Sequence, residues 1–359
     1  MDIETRMALV RRVGEEIVTE EELKHIFESN QHPVAYDGFE PSGCLHVAQG
    51  LMRAINVNRM LKAGCTFKML VADWHGWANN KMGGDFEKIQ TTGKYMIEVW
   101  RAAGMDTEKI DFVWVSDMIK DIDYWKKVMQ VARNTTVNRI MRCCQIMGRC
   151  EKEVQHASQI LYPCMQCADI FHLGVDICQL GMDQRKVNML AREVGPKLFG
   201  RVPVVVSHHM LMGLAQPPRT SSGGVERVIQ MKMSKSNPNS AIFMTDSTAE
   251  IKAKIAKAYC PEKVVQENPV MEYCKYIIFA HEKFREFKID RPAKFGGPLS
   301  FADYQELEKT YMESGLHPMD LKNAVAAELD GMIEPVRKHF FAGSARKLLE
   351  QVESFRAVK

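Results

Sequence analysis

Short apolar runs alternate with helix-like segments through the first part of the chain, and this alternation constrains the fold more than any other feature. The runs His32–Asp37, Phe67–Ala72 and Asp111–Val115 have the length of strands, and the second is apolar enough for a buried parallel strand. Residues 46–62 and 86–103 place apolar side chains at helical spacing between them. Strands and helices in this order predict an α/β fold, a Rossmann-like doubly wound parallel sheet.

A helical insertion divides this sheet. Residues 119–172 have a mostly helical pattern and interrupt the alternation, which resumes with strands at Val175–Cys178 and Val202–Ser207 around a helix at 184–198. Residues 212–239 are rich in Gly, Pro and Ser, and this composition predicts a mobile loop.

The last third of the chain is predicted to be mostly α-helical. Ser247 and Glu250 have the spacing of a capping box at a helix start. The clearest helices are Asp320–Phe341 and Ala345–Phe355, and Pro335 should kink or end the first of them. The expected organisation is an N-terminal helical segment, a Rossmann-like domain with its insertion, and an α-helical domain, at residues 1–30, 31–245 and 246–359.

Composition narrows the class of protein. Of the 359 residues, 46% are hydrophobic and 26% are charged, as in water-soluble globular proteins. The net charge of +3 indicates no general affinity for nucleic acid, so a basic RNA-binding surface must be a local patch. No apolar run approaches the ~20 residues of a membrane helix, and Arg6, Arg11 and Arg12 interrupt the early apolar stretch. We expect a cytoplasmic protein whose ten cysteines are reduced thiols.

The first of two motifs that carry chemistry lies where a predicted strand turns into a helix. It runs from Pro41 to Gly50 with the sequence Pro-Ser-Gly-Cys-Leu-His-Val-Ala-Gln-Gly. A helix start offers free N–H groups and the positive end of the helix dipole, which attract phosphate. His46 stands at this start, although taken alone it fits a helix-start histidine without a ligand.

The second motif, Lys-Met-Ser-Lys-Ser at Lys232–Ser236, lies in a predicted loop before the last strand of the same region. Two lysines in a polar loop are usually solvated charge. Gly223, Gly224 and Pro238 make a swinging loop plausible, however, and such a loop can close its cations over a leaving pyrophosphate. Together the two motifs can hold a triphosphate from both ends, which indicates an ATP-using enzyme that moves an adenylyl group.

With both motifs, the chain resembles the tyrosyl-tRNA synthetases of the archaeal and eukaryotic cytoplasmic type, which are class I aminoacyl-tRNA synthetases. The first motif is similar to the family's HIGH signature and the second to its KMSKS signature, and the resemblance extends over residues 30–340. Ala48 and Gln49 replace the signature's Gly and second His, and Leu180 stands where many relatives have a Gly. Four further segments carry the resemblance: Ala35–Gly43, Leu161–Gln166, Gly181–Lys186 and Leu316–Lys322.

The resemblance implies a tyrosine pocket. Tyr36 and Asp169 would hold the substrate's phenol hydroxyl, and Tyr162, Gln166 and Gln184 would hold its α-amine. A spacing of four and then three residues places Tyr162, Gln166 and Asp169 on one helix face. Asp169 could instead be an ordinary exposed carboxylate, but its sequence neighbours are mostly apolar.

The resemblance also implies the reaction: tyrosine and ATP give tyrosyl-adenylate, and the tyrosyl group then passes to the terminal adenosine of tRNA(Tyr). Mg²⁺ would accompany ATP, and no structural metal is expected. The residues implied at the nucleotide are His46 and Gln49 at the phosphates, Lys232 and Lys235 at the departing pyrophosphate, and Asp183 at the ribose. Gly181 is also implied to bind ATP.

The resemblance implies further contacts with tRNA and with a second subunit. Arg185 and Lys186 match positions near the acceptor end, and Phe295, His317 and Asp320 match positions that read the first anticodon base. The alternative for Phe295 and His317 is packing in the core of the helical domain. The last domain would be an anticodon-binding domain, and the insertion would form the interface of a homodimer.

Three other interpretations compete. Cys164 and Cys167 form a Cys-x-x-Cys pair that suggests redox chemistry or zinc, but no second pair has the spacing of a zinc site, so two small side chains lining a pocket fit better. A non-catalytic descendant of a synthetase would show eroded ATP motifs, whereas the lysine motif is complete. A tryptophan enzyme is possible because Asp169 could accept from an indole, but Tyr36 together with Asp169 favours tyrosine.

Overall fold

Six strands form one sheet that organises the first two thirds of the protein. The computed structural model describes residues 1–147, 156–218, 224–233 and 238–355. The sheet order is β1-β6-β5-β2-β3-β4, and every neighbouring pair is parallel except β1 with β6. The strands are β1 (Gly14–Val18), β2 (Val34–Phe39), β3 (Thr66–Val71), β4 (Ile110–Trp114), β5 (Ile177–Gly181) and β6 (Val204–His208).

This topology confirms the predicted doubly wound fold. The chain runs outward from β2 through β3 to β4 and then returns to add β5 and β6 on the other side of β2. The order therefore reverses between β2 and β5. In open α/β sheets the carboxyl ends of the strands at such a reversal border a crevice that binds ligands.

Helices cover both faces of the sheet and build the last third of the chain. Within the described residues they are α1 (Ile3–Arg11), α2 (Glu20–Ser29), α3 (Arg53–Lys62), α4 (Asp73–Ala78), α5 (Phe86–Ala102), α6 (Val115–Met118), α7 (Ile122–Arg133), α8 (Val137–Cys143), α9 (Ala157–His172), α10 (Arg185–Phe199), α11 (Gly224–Met231), α12 (Thr248–Lys257), α13 (Pro269–Tyr273), α14 (Tyr304–Met312), α15 (Pro318–His339) and α16 (Gly343–Ser354).

The N-terminal segment corrects one prediction. Residues 1–30 were expected to be helical throughout, but β1 separates α1 from α2. The strand pairs antiparallel with β6, and Ile17 lies opposite Val206. Helical periodicity over so short a stretch is weak, and the exposed edge of β6 offers backbone groups that only a strand can pair with.

The segment after β6 corrects two more. Residues 212–239 were predicted to form a loop, yet α11 lies within them; residues 219–223 and 234–237 lie outside the described part of the chain. The lysine motif also follows the last strand of the sheet and does not precede it. Helix α11 is short and follows a Gly-rich stretch, so the composition of the segment predicted a loop although part of it is helical.

The insertion between β4 and β5 is mostly helical in its described residues, 115–147 and 156–176, as predicted. Helices α7, α8 and α9 belong to one buried cluster, in which Tyr124 and Val128 of α7 pack with Ile170 of α9. Helix α9 continues through Pro163. Because Pro163 has no N–H, the carbonyl of Gln159 is released from the helix ladder, and Cys144 Sγ contacts it at 3.7 Å.

The last third is mostly helical, as predicted, and contains one small sheet. A two-stranded antiparallel ribbon, β7 (Phe287–Ile289) with β8 (Leu299–Phe301), was not predicted. Helix α15 also does not end at Pro335 but continues to His339, and Ile333 and Val336 on either side are buried. Their packing holds the helix together where the ring would otherwise interrupt it.

Free thiols and apolar side chains fill the interior. Of the nine cysteines that the structure describes, all are free and all but Cys260 are buried, as expected of small core residues. Cys164 and Cys167 are among the buried thiols. Neither lines the cavity that opens at the carboxyl ends of β2, β5 and β6, so the prediction that they line a pocket is wrong for this cavity. No described helix is both long enough and apolar enough to span a membrane.

Candidate functional site

A cavity of about 400 Å³ opens at the carboxyl ends of β2, β5 and β6. It lies at the reversal of strand order, where this fold class binds ligands. Ten of the residues predicted for tyrosine and ATP line it: Tyr36, Tyr162, Gln166, Asp169 and Gln184, here called the tyrosine half, and His46, Gln49, Gly181, Asp183 and Lys232, here called the nucleotide half. Lys235 lies outside the described residues.

Asp169 is a buried carboxylate at the bottom of the tyrosine half, only 1% exposed. The hydroxyl of Tyr124 donates to its Oδ1 at 3.0 Å, and Nε2 of His75 lies 3.1 Å from its Oδ2. Burial disfavours a charged His75, but the Asp169 carboxylate outweighs this and raises the pKa of the imidazole. The alternative of an exposed carboxylate is wrong.

Tyr124 and His75 were not anticipated. Tyr124 comes from α7 of the insertion and His75 from α4, which follows β3. Asp73 fixes the start of α4, because its carboxylate accepts from the N–H of Trp74 and of Ser116, at 2.8 and 3.0 Å. No sequence spacing links these residues to Asp169, so only the fold brings them together.

Tyr36 brings a neutral hydroxyl to the same half. The residue is buried, and its Oη has no hydrogen-bond partner within the described part of the chain. Burial raises the pKa of this phenol well above its usual value, so it stays protonated and can both donate and accept. An uncompensated buried hydroxyl costs free energy, which a hydroxyl-bearing ligand would recover.

The remaining residues of the tyrosine half form a chain of amides. Gln166 Nε2 donates to Gln184 Oε1 at 3.0 Å, and Gln184 Nε2 donates to the carbonyl of Ile146 at 3.1 Å. The edge of the Tyr162 ring packs on His75, with ring centres 5.0 Å apart. Tyr162, Gln166 and Asp169 therefore face the cavity together, as their spacing on α9 predicts.

Backbone pairing joins the two motifs. His46 lies opposite Phe243, the N–H of Val47 donates to Ile242 O, and the N–H of Met244 donates to Leu45 O, both at 2.9 Å. The segment that follows the lysine motif is thereby held against the start of the histidine motif. Two sequence elements that lie far apart in the chain thus share one wall of the cavity.

Glycines allow this close approach. A Cβ at Gly50 would lie 2.4 Å from Met244 Sδ, and one at Gly181 would lie 2.5 Å from Met210 Sδ. Real Cβ atoms do not come so close, so neither position admits a larger residue without movement of its neighbour. Residues Ala48–Met52 form a π-helical turn before α3, a distortion that often marks functional sites.

Each carboxylate that lines the cavity has a cationic or imidazole partner. Lys232 Nζ lies 2.7 Å from Asp183 Oδ2, and Lys81 Nζ lies 3.2 Å from Glu40 Oε2. The other two pairs are Asp169 with His75 and Asp37 with Arg53. The sequence predicted no role for Asp37, Arg53, Glu40 or Lys81, although Asp37 and Glu40 belong to the segment Ala35–Gly43 that carries the resemblance.

The residues predicted for tRNA lie outside the cavity lining. Arg185 at the start of α10 forms an ion pair with Glu16 of β1, with Nε 2.7 Å from Oε2. Phe295 is 59% exposed, and His317 is exposed at the start of α15, where its Nδ1 accepts from the N–H of Met319 at 3.1 Å. Packing of Phe295 and His317 in the core is therefore wrong. Lys186 and Asp320 are partly exposed.

Known proteins share this fold. The family described as tRNA synthetases class I (W and Y) matches residues 28–334. The chain belongs to the class I tRNA synthetases. Among curated relatives, this synthetase is 49% identical to tyrosine–tRNA ligase 1, cytoplasmic, of Arabidopsis thaliana, an alignment that covers 100% of this chain and 90% of that protein.

Archaeal relatives agree with this assignment. Tyrosine–tRNA ligase of Pyrococcus horikoshii is 42% identical to this synthetase, over 100% of this chain and 99% of that protein. The solved structure of tyrosyl-tRNA synthetase complexed with L-tyrosine from P. horikoshii superposes with a TM-score of 0.91 and covers 99% of this chain and 100% of that one. Tryptophanyl-tRNA synthetase of Aeropyrum pernix shares the fold alone, at 15% identity and a TM-score of 0.65.

Proposed function

We propose that this synthetase is a tyrosine–tRNA ligase. It activates L-tyrosine with ATP to tyrosyl-adenylate and pyrophosphate, and then transfers the tyrosyl group to the 3′-terminal adenosine of tRNA(Tyr), releasing AMP. The observation that carries the proposal is the buried Asp169 carboxylate beside the unpartnered hydroxyl of Tyr36. A phenol that donates to Asp169 and also contacts Tyr36 satisfies both groups at once.

The Tyr124 and His75 contacts explain how Asp169 stays ready for such a ligand. They hold the carboxylate from two sides, so little free energy is needed to orient the Asp169 side chain when the substrate binds. Phenylalanine would bury the same groups and leave them without the phenol. Tyrosine is favoured over phenylalanine because the penalty falls on buried polar atoms of the protein.

In the activation step, an oxygen of the tyrosine carboxylate attacks the α-phosphorus of ATP. The new P–O bond forms as the bond to the bridging oxygen of pyrophosphate breaks, and pyrophosphate carries away the electron pair. Tyr162, Gln166 and Gln184 would hold the α-amine and so aim the carboxylate. His46, Gln49, Lys232 and Lys235 would stabilise charge on the phosphates, and Asp183 with Gly181 would take the ribose side.

ATP is the co-substrate of the class I synthetases, and we propose that Mg²⁺ enters with it. The described residues contain no group of three His, Cys, Asp or Glu side chains that could hold a metal ion. The cavity carboxylates are engaged with cations or with His75, and Mg²⁺ prefers oxygen ligands of which phosphate supplies several. We therefore assign Mg²⁺ to the ATP phosphates and not to a cage of protein side chains.

The tRNA would contact two regions. Arg185 and Lys186 lie at the start of α10, directly after Gln184 of the cavity, and suit the acceptor end. Arg291 donates to Gly297 O at 2.5 Å and to Gly315 O at 2.7 Å, and so ties the turn that carries Phe295 to the start of α15. Phe295, His317 and Asp320 would then stack on and hydrogen-bond one unpaired base, which makes residues 246–359 an anticodon-binding domain.

A homodimer in the cytoplasm completes the proposal. Large apolar side chains are exposed along the insertion and the neighbouring end of α4, and Ser158 Oγ joins the two by donating to Ala78 O at 2.8 Å. Such a surface suits an interface between two copies, with the insertion at its centre. Its members are Trp77, Ile122, Met129, Val137, Ile160 and Leu161.

ATP–pyrophosphate exchange tests the function. We expect exchange with tyrosine, and far less with phenylalanine or tryptophan at equal concentration. Equal rates with phenylalanine would overturn the role of Asp169, and faster exchange with tryptophan would move the protein to the other branch of its family. Charging of tRNA(Tyr) with labelled tyrosine then tests the second step.

A further inference from the structure

Arg53 is a buried cation beside the nucleotide half that neither sequence motif includes. It is the first residue of α3, it lines the cavity, and it is only 8% exposed. Buried charges are costly unless they are paired or used. The mechanism above gives Arg53 no task, so its place in the wall needs an explanation.

Three contacts immobilise the guanidinium. Nη1 forms an ion pair with Asp37 Oδ2 and lies 3.2 Å from Nδ1 of His208, while Cζ lies 4.4 Å above the ring centre of Phe39. The Nε of Arg53 is buried and has no hydrogen-bond partner in the part of the chain that the structure describes. Arg53 is therefore held in a fixed position, and its Nε–H group can still donate a hydrogen bond.

The neighbours of Arg53 are arranged to keep it charged and in place. Nδ1 of His208 lies 2.8 Å from Gln179 Nε2 and 3.2 Å from Arg53 Nη1. Both of these nitrogens are donors, so Nδ1 must be the acceptor and His208 must be neutral. Burial and the nearby Arg53 lower the pKa of His208 well below its usual value, which agrees with this neutral form.

The position of Arg53 relative to the first motif suggests what the charge is for. His46, Gln49 and Arg53 follow one another at spacings of three and four residues, and all three line the cavity. The related signature has a second histidine where this chain has Gln49, and glutamine cannot carry charge. Arg53 carries a full charge about one helical turn further along.

We propose that Arg53 is a nucleotide-binding residue of this enzyme, and that Asp37 is the residue that positions it. The guanidinium, held by Asp37, offers the ATP phosphates a charge-assisted hydrogen bond from a cationic donor, which the neutral amide of Gln49 cannot supply. The inference rests on the proposed function only in that ATP is the ligand.

Binding of the non-hydrolysable ATP analogue AMPPCP, measured by calorimetry on the intact enzyme, tests this role. We expect Arg53→Met to weaken AMPPCP binding by about tenfold or more, because a hydrogen bond to a charged group is lost. Arg53→Lys should fall between wild type and Arg53→Met, since lysine keeps the charge but cannot contact Asp37 and His208 in the same way. Tyrosine binding should change less than about twofold in either variant.

Arg53→Met leaves Asp37 buried without its partner, so a double variant keeps the test decisive if the single one folds poorly. Asp37→Asn with Arg53→Met removes both charges, and it should restore thermal stability without restoring AMPPCP affinity. Adding Gln49→His to this double variant should recover part of the affinity. Wild-type affinity in the double variant would overturn the inference and leave Arg53 a structural residue.

Failure of this inference is distinguishable from failure of the proposed function. A wild-type enzyme that binds AMPPCP but shows no tyrosine-dependent exchange would refute the function, while the Arg53 variants would still report on nucleotide binding. An enzyme that exchanges with tyrosine, and whose charge-deleted double variant binds AMPPCP normally, would refute the Arg53 role alone.

Discussion

The two halves of the cavity use charge in different ways. The tyrosine half contains one anion, Asp169, which Tyr124 and His75 hold in place, and its other members are neutral hydroxyl and amide groups. The nucleotide half places cations beside carboxylates, and one of them, Lys232, comes from a segment whose next residues lie outside the described chain. In the proposed function, one half recognises a neutral hydroxyl and the other receives a polyanion.

The difference follows from where each half obtains its residues. Helix α9 and strand β2 of the fold core supply four of the five residues of the tyrosine half, and Gln184 comes from the turn before α10, so packing fixes most of its geometry before any ligand binds. The nucleotide half combines the end of the first motif, where the π-helical turn Ala48–Met52 begins, with Lys232 of the lysine motif, which is paired with Asp183. Selectivity should therefore depend on the first half, and the rate of activation on the second.

Asp169→Asn should produce the largest effect and would break the tyrosine half. Asparagine keeps the shape but loses the charged acceptor for the phenol, so kcat/KM for tyrosine in pyrophosphate exchange should fall about a hundredfold or more. The value of kcat/KM for phenylalanine should change little, so the preference for tyrosine over phenylalanine should fall by nearly the same factor. Asp111→Asn, at an exposed site of β4, is the matched control. An unchanged ratio would contradict the assignment of Asp169.

Lys232→Ala and Lys235→Ala should each slow adenylate formation about tenfold to a hundredfold by removing a cation from the leaving pyrophosphate. Tyrosine affinity should stay constant, because neither lysine belongs to the tyrosine half. Single-turnover release of pyrophosphate measures the rate, and the exposed Lys257→Ala serves as control. A change confined to tyrosine affinity would show that the two halves are not separable.

Phe295→Ala should leave pyrophosphate exchange unchanged and lower kcat/KM for tRNA(Tyr) charging about tenfold, as expected for loss of one base stacked on an aromatic ring. Phe341→Ala removes an even more exposed ring from another part of the helical domain and should have no effect. Equal losses in both variants would mean that exposed rings here act nonspecifically and that Phe295 reads no base.

His209→Gln should have the smallest effect on catalysis and change mainly the pH dependence of stability. His209, which also lines the cavity, lies 3.0 Å from both Glu15 and Glu272 and stacks on Tyr276. Burial disfavours its charge, but the two carboxylates prevail and raise its pKa to about 9.

The folded state therefore holds this proton more tightly than the unfolded chain does. The stabilisation, up to about 3 kcal/mol, is fully present below the ordinary histidine pKa of about 6.5 and is lost as pH rises through about 9. Urea unfolding at pH 6.5 and pH 9.5 should show this loss in wild type and much less of it in His209→Gln. The exposed His25→Gln variant should behave as wild type. If the free energy of unfolding of His209→Gln depended on pH as it does in wild type, the stabilising role of His209 with Glu15 and Glu272 would be refuted.

Local patterns in the sequence predict the elements that depend on neighbouring residues. The alternation of β2, β3 and β4 with helices, the helical insertion and the face shared by Tyr162, Gln166 and Asp169 are all expressed at short spacing. Strand β1 and helix α11 were missed. β1 forms because the edge of β6 is available to it, and α11 is too short for periodicity to stand out from its Gly-rich surroundings.

The sequence by itself determined the doubly wound class, the two motifs and the chemical identity of the residues that face one another across the cavity. Only the tertiary structure decided which partners those residues have. Asp169 meets His75 and Tyr124, and Arg53 meets Asp37 and His208, across intervals of sixteen to one hundred and fifty-five residues that no local spacing encodes. The order of the strands in the sheet determines these contacts, because it decides which strands have neighbouring carboxyl ends.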